Sequence, residues 1–172
     1  MKDKLYNNII LIGFMGSGKT TVGKYLADKI SYELYDTDRL IEDKEGSCIS
    51  KIFEDKGEEH FRNLETNILR DLSLSSGKIV LSTGGGVPLR KENQKILREH
   101  GCVIYLKANP DTIIERIGDD NTRPLLKDNF EETTRKLLSQ RDPIYMRTAH
   151  KIIKIDNKTI EEICNEIISL LK

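Results

Sequence analysis

Residues 13–20 read GFMGSGKT, and NIILI, from Asn8 to Ile12, runs straight into them. The spacing G-x-x-x-x-G-K-[ST] is met by Gly13, Gly18, Lys19 and Thr20, with a strand pattern before it and a helix pattern after it. The residue types follow from the chemistry of holding phosphate. Glycines let backbone N–H groups turn inward around phosphate oxygens, and the helix beginning near Lys19 adds its positive dipole end. An ammonium at Lys19 can reach the β- and γ-phosphates, and the Thr20 hydroxyl can ligate Mg²⁺. Gly16, Ser17 and Thr21 lie in or beside the same loop and join the expected nucleotide-binding set. A glycine turn that only packs a helix on a strand is the alternative, and the spacing and context both count against it.

Working outward, apolar runs and helical patterns alternate along the whole chain. Val22, Leu26 and Ile30, with Tyr25 alongside, give a helix face after the loop. YELY (32–35) reads as a second strand ending on Asp36. Residues 37–76 read as helical and polar, punctuated by Gly46 and Gly57, with an amphipathic helix through Phe61, Leu64, Ile68, Leu69 and Leu72. KIVLST (78–83) is a strand that meets Gly84, Gly85 and Gly86. A helix near Arg90–His100, the strand CVIYLKA (102–108) and a helix opening at NPDT, with Asn109 as cap and Pro110 in the first turn, come next. GDDNTRPLLKDN (118–129) has no periodicity and reads as a mobile loop. The last elements are a helix over Phe130–Arg141 that ends before Pro143, the strand KIIKI (151–155), and a helix opened by a Thr159–Glu162 capping box. Five short strands separated by helices imply a parallel sheet covered on both faces, with every C-terminal strand end on one edge. Ligands bind at that edge in such sheets.

Bulk properties narrow the function. A length of 172 residues fits one domain with a real core. Lys plus Arg and Asp plus Glu are 28 each, so the net charge is zero, which argues against a nucleic-acid or polybasic membrane surface. Cys48, Cys102 and Cys164 are far apart and odd in number; the expectation is reduced, buried thiols in a cytoplasmic protein. His60, His100 and His150 lack metal-ligand spacing. The N-terminal MKDKLYNN is polar, and the apolar run behind it is too short for a signal peptide core or a membrane span.

A phosphate cradle alone does not separate a kinase from a switch or a motor; the next residues do. Asp36 and Asp38, in DTD, lie two apart at a strand end and point the same way if the chain stays extended. One carboxylate can face Mg²⁺ and its waters, and the other can accept the proton of an attacking hydroxyl. IVLST ends without an acid, so the metal-side carboxylate falls to Asp36. Helix capping by Asp38 is the competing role for one of the two. Arg62 in GEEHFRNLE, Arg123 in NTRPLL and Arg141 in QRDPIY supply forks for an anionic acceptor and charge for a transferring phosphoryl group. Taken singly, each could be a solvated or salt-bridged arginine, with Glu65 the specific partner for Arg62. Three glycines at a strand's C-terminal end suggest backbone N–H groups brought close to a ligand.

In this order GFMGSGKT, DTD, GEEHFR, TGGG, NTRPLL and RDPIY make the chain resemble the shikimate kinase family, small members of the nucleoside-monophosphate-kinase-like P-loop enzymes. The resemblance implies a three-layer α/β/α fold with a five-stranded parallel sheet. It also implies a single domain over 1–172, with an acceptor-binding segment at 37–76 and a lid at 118–129 hinged at Gly118. It implies transfer of the ATP γ-phosphate to the 3-hydroxyl of shikimate with Mg²⁺, on the way to chorismate, by a cytoplasmic monomer that needs neither nucleic acid nor membrane. By resemblance, Asp38 is the base, and Arg62 and Arg141 clamp the shikimate carboxylate. Gly84, Gly85 and Gly86 line the acceptor site, and Gly85 donates its N–H. Lys19 and the lid residue Arg123 stabilise the phosphates. Thr20 and, through water, Asp36 and Ser82 organise the metal, and Arg116 stacks on adenine. The loop near Asp156–Thr159 falls beside adenine. Rival readings are a kinase for gluconate or a nucleoside monophosphate, a GTP-driven switch, and a P-loop kept only for binding. DKEG (43–46) matches D-x-x-G but lies in a polar helical stretch, which disfavours the switch.

Overall fold

The computed structural model describes residues 7–73, 77–118 and 129–171. Arg123 and residues 119–128 of the expected lid lie outside the described residues. Five strands, β1 (Asn8–Ile12), β2 (Glu33–Asp36), β3 (Ile79–Ser82), β4 (Cys102–Lys107) and β5 (Lys151–Lys154), form one sheet in the order β2-β3-β1-β4-β5. Every neighbouring pair is parallel. The helices are α1 (Lys19–Ile30), α2 (Thr37–Glu45), α3 (Ile49–Ser73), α4 (Lys91–His100), α5 (Pro110–Gly118), α6 (Phe130–Thr148) and α7 (Ile160–Leu171). A 3₁₀ turn covers Val87–Leu89.

The central strands are buried on both faces, as continuous apolar runs require. Leu11 and Val80 face α1, where Gly23 lets the helix approach them; Ile10 and Leu81 face α3 and α4 with Leu69 and Leu97. Ile41, Ile52, Phe61, Leu64 and Ile68 form a second, smaller apolar cluster between α2 and α3. Gly57 (φ 78°, ψ 172°) breaks α3, so the segment carrying Arg62 starts as a fresh helix. Tyr25, placed on the α1 core face by its spacing, is instead 38% exposed. No helix among the described residues is long and apolar enough to cross a membrane.

Two further sequence expectations need correction. Cys102 and Cys164 are buried, but Cys48 is exposed, on the short link between α2 and α3. And α6 does not end before Pro143; it runs on to Thr148. An interior proline costs about 3 kcal/mol. Against that, Leu138, Tyr145 and Thr148 are buried along the same helix, and each large apolar side chain is worth roughly 1.5–3 kcal/mol. Asp142, beside the proline, accepts from Tyr105 Oη (2.8 Å) and Lys107 Nζ (3.0 Å) on β4. Arg98 donates to the carbonyls of Arg147, Thr148 and Ala149 at the helix end. Tertiary packing thus outweighs the local signal.

A histidine ties β4 to the start of β5. His150 N–H donates to Val103 O (2.7 Å), and Val103 N–H donates back to His150 Nδ1 (3.0 Å). Burial, then Arg98 and Lys151, lower the His150 pKa below its ordinary value. The native state therefore binds fewer protons than the unfolded one. Its contribution is complete above about pH 6.5 and is lost as pH falls below that value. Urea midpoints are expected to drop between pH 7 and 5.5, and to drop less in His150→Asn, whose amide oxygen accepts without titrating. Equal slopes in the two proteins would contradict this.

Candidate active site

The sheet's strand order reverses between β1 and β3: the chain leaves β1 toward β2 and leaves β3 toward β4. A crevice opens at such a point, and here the two loops that flank it are 13–18 and 83–86. Gly13 has φ 151°, and a Cβ there would lie 2.8 Å from the Leu106 carbonyl oxygen and 2.9 Å from Ser17 Oγ. No other residue fits at that position. Lys19 is buried, and its Nζ donates to the carbonyls of Gly13 (2.9 Å) and Phe14 (2.8 Å), spanning the loop. The first turn of α1 carries no acidic side chain, so its positive end is not neutralised from within.

Beyond the loop, Thr20 Oγ1 donates to Asp36 Oδ2 (2.9 Å) and lies 3.3 Å from Ser82 Oγ. This trio offers hard oxygen donors, which suits Mg²⁺, an ion that keeps most of its waters and takes its other ligands from phosphates. Among the described residues no cluster of three or more His, Cys, Asp or Glu could hold a metal by itself. Asp36, not Asp38, is the helix cap: its Oδ1 accepts from the N–H groups of Asp38 (3.0 Å) and Arg39 (3.3 Å). The extended geometry assumed for DTD ends at Asp36, because α2 begins at Thr37. Both aspartates nevertheless border the same cleft, with Lys19, Thr20, Gly84 and Gly85.

The glycine triplet is there for space, since none of its members is among the positive-φ glycines. A Cβ on Gly84 would lie 2.5 Å from Asp38 Oδ1, and one on Gly86 would strike the Arg62 guanidinium. The Gly84 N–H is already used: it donates to Thr37 Oγ1 at 2.8 Å. The donor expected at this turn, the Gly85 N–H, is not the one used in that bond.

Arg62 pairs with Glu65 (2.8 Å) and Glu58 (3.1 Å). The salt bridge anticipated as its alternative role therefore exists, yet the guanidinium also lies on the glycine turn. Glu65 is 1% exposed. Burial pushes its carboxyl above the ordinary value, Arg62 opposes that shift, and Asp38 adds to it. Arg141 lies 5.6 Å over the Phe14 ring, and its charge acts on the Tyr145 hydroxyl. Tyr145 Oη donates to Gly85 O at 2.7 Å. Burial raises the Tyr145 hydroxyl to about 12, with Arg141 and then Arg62 pulling the other way. Both arginines therefore sit around one buried phenol behind Gly85. Arg116 donates to Gly16 O at 3.4 Å and lies beside Gly18, on the other flank of the loop. Asp156 accepts from Asn109 N–H and Thr112 Oγ1, tying the β5–α7 link to the start of α5.

The family model for shikimate kinase matches residues 15–172. This chain belongs to the shikimate kinase family. A shikimate kinase of Dictyoglomus turgidum is 45% identical over 169 residues, covering 96% of this chain and 98% of that protein. A solved shikimate kinase from Acinetobacter baumannii, in complex with shikimate, matches with a TM-score of 0.91 and 39% identity over 98% of this chain and 94% of that one. The enzyme from Aquifex aeolicus matches with a TM-score of 0.84 and 38% identity, covering 95% of each chain. As a member of this family the chain is a kinase, a phosphotransferase with a P-loop nucleotide site.

Thr37, Phe14 and Tyr145 were not singled out by sequence for the roles they take here. Thr37 and Tyr145 stand inside DTD and RDPIY, so the signal was present. Only folding showed that the hydroxyl between the aspartates reaches Gly84 and that the tyrosine reaches Gly85.

Proposed function

We propose that this enzyme transfers the γ-phosphoryl group of ATP to the 3-hydroxyl of shikimate, giving shikimate 3-phosphate and ADP. The observation that carries the reading is the single cleft bordered by the phosphate loop on one side and by Asp38 with the Gly84–Gly85 turn on the other. The loop from Gly13 to Thr21, with Gly16, Ser17, Gly18 and Lys19, holds the triphosphate. Arg116 lies where adenine follows, and Arg123 is assigned to the phosphates by resemblance alone.

Arg62 and Arg141 take the acceptor's carboxylate as planar forks, with Gly84, Gly85 and Gly86 leaving room for the ring. Asp38 accepts the 3-hydroxyl proton as that oxygen bonds to the γ-phosphorus and the bond to the β–γ bridging oxygen breaks. Thr20 would hold Mg²⁺ directly, and Asp36 and Ser82 would hold it through water. Bound there, the ion supplies charge neutralisation at the β- and γ-phosphate oxygens. Action as a monomer is assigned by resemblance alone. A free, exposed Cys48 suits the reducing cytoplasm.

ATP turnover should be measured with shikimate, gluconate and nucleoside monophosphates in parallel. Shikimate is expected to give the only substantial acceptor-dependent rate. No rate above background with shikimate, or a higher kcat/KM with another acceptor, would overturn the proposal.

A further inference from the structure

Between the two aspartates stands a residue that the reaction as described does not use. Thr37 is fully buried, and its Oγ1 accepts the Gly84 N–H at 2.8 Å. The topology explains why a hydroxyl is needed there. β2 and β3 run in parallel register until Asp36 faces Ser82. At Thr37 the chain turns into α2, so β2 offers no further backbone rung, while the chain leaving β3 at Ser82 continues through Thr83 to Gly84. Thr83 continues on its other side, donating N–H and Oγ1 to Leu11 O of β1 at 3.2 and 2.9 Å. The buried Gly84 N–H would otherwise be orphaned, a costly state for a backbone donor. The threonine side chain makes the last rung of the β2–β3 ladder.

That rung lies one residue from Asp38 in sequence and one contact from it in space. Asp38 Oδ1 sits 2.5 Å from where a Gly84 Cβ would be, and Glu65 Oε1 is 3.3 Å from the same point. Gly84 O in turn accepts from Val87 N–H at 3.1 Å, closing the turn that carries Gly85 and Gly86. One hydroxyl therefore ties the start of α2, which carries Asp38, to the glycine turn against which Asp38 rests. We propose that Thr37 is a positioning residue for phosphoryl transfer: its hydroxyl sets the distance between the Asp38 carboxylate and the glycine wall of the acceptor site. It also withdraws the Gly84 N–H from the cleft, leaving Gly85 to face the substrate.

The inference rests on the assignment of Asp38 as base, and its test keeps the two apart. Thr37→Ser retains the hydroxyl, Thr37→Val retains the shape, and Thr37→Ala retains neither. Initial rates with shikimate and ATP, ATP binding by calorimetry, and melting temperatures are measured for all three beside the wild type. A displacement on the order of 1 Å at a reacting group costs up to ~10²-fold in rate. The expected result is a kcat lowered roughly 10- to 10²-fold in the Val and Ala variants, with ATP affinity unchanged and near-wild-type kcat in the Ser variant. A Val variant with wild-type kcat overturns the proposal. So does a Ser variant as slow as Val, which would assign the effect to the methyl group. Folding of the Ser variant alone overturns it in favour of a purely structural bond. Failure of the wild type to phosphorylate shikimate would instead sink the substrate assignment, whatever the Thr37 variants do.

Discussion

Asp38→Asn is expected to lower kcat by ~10²–10⁴-fold, the range that a positioned general base contributes, while ATP binding stays close to wild type. The amide keeps the size of the carboxylate, so the contact with the Gly84 turn survives; what is lost is the ability to take a proton. The phosphate loop borders the cleft opposite Asp38, and the Gly13 and Phe14 carbonyls hold Lys19 in place. Calorimetry with ATP and initial rates with shikimate separate the two effects. Near-normal turnover would remove Asp38 from the chemistry. Lost ATP affinity would show that the carboxylate serves the nucleotide instead.

Arg62→Ala is expected to have two large effects with different origins. Binding of the acceptor weakens, read as a raised KM for shikimate. The fold also weakens, because Glu65, 1% exposed, is left without its guanidinium. Removing one partner of a buried ion pair costs about 3–5 kcal/mol. Glu65 already has a raised proton affinity, chiefly from burial, so the variant offsets part of that loss by taking up a proton. The double variant Arg62→Met/Glu65→Leu separates the effects, since an apolar pair of similar size is often neutral for stability. Its melting temperature is expected to recover while KM for shikimate stays high. An unchanged KM in Arg62→Ala would return Arg62 to a purely structural salt bridge.

Much of the architecture was legible because its signals are local. GFMGSGKT specifies a strand, a loop with left-handed glycines and a helix start. The Thr159–Glu162 capping box forms as read, with Thr159 N–H to Glu162 Oε2 at 2.7 Å and Glu162 N–H to Thr159 Oγ1 at 3.2 Å. The expectations that failed lie where distant parts of the chain decide. Pro143 marks a stop by itself, and only the packing of Tyr145 and the hold of Tyr105 and Lys107 on Asp142 carry α6 past it. DTD offers two good caps, and the choice of Asp36 depends on where β2 stops pairing with β3. Cys48 reads as a small apolar residue, but the turn between α2 and α3 leaves it exposed. Within the site, DTD, TGGG and RDPIY could be found by eye, whereas the Thr37–Gly84 and Tyr145–Gly85 bonds join positions 47 and 60 residues apart. No spacing rule connects them.

The most direct test of the whole arrangement is a crystal structure of the enzyme with a non-hydrolysable ATP analogue and shikimate. The account predicts the γ-phosphate in the 13–20 loop, the 3-hydroxyl within about 2.6–3.2 Å of an Asp38 oxygen, and the carboxylate on Arg62 and Arg141. Shikimate bound with its 3-hydroxyl turned away from both Asp38 and the γ-phosphate would contradict it.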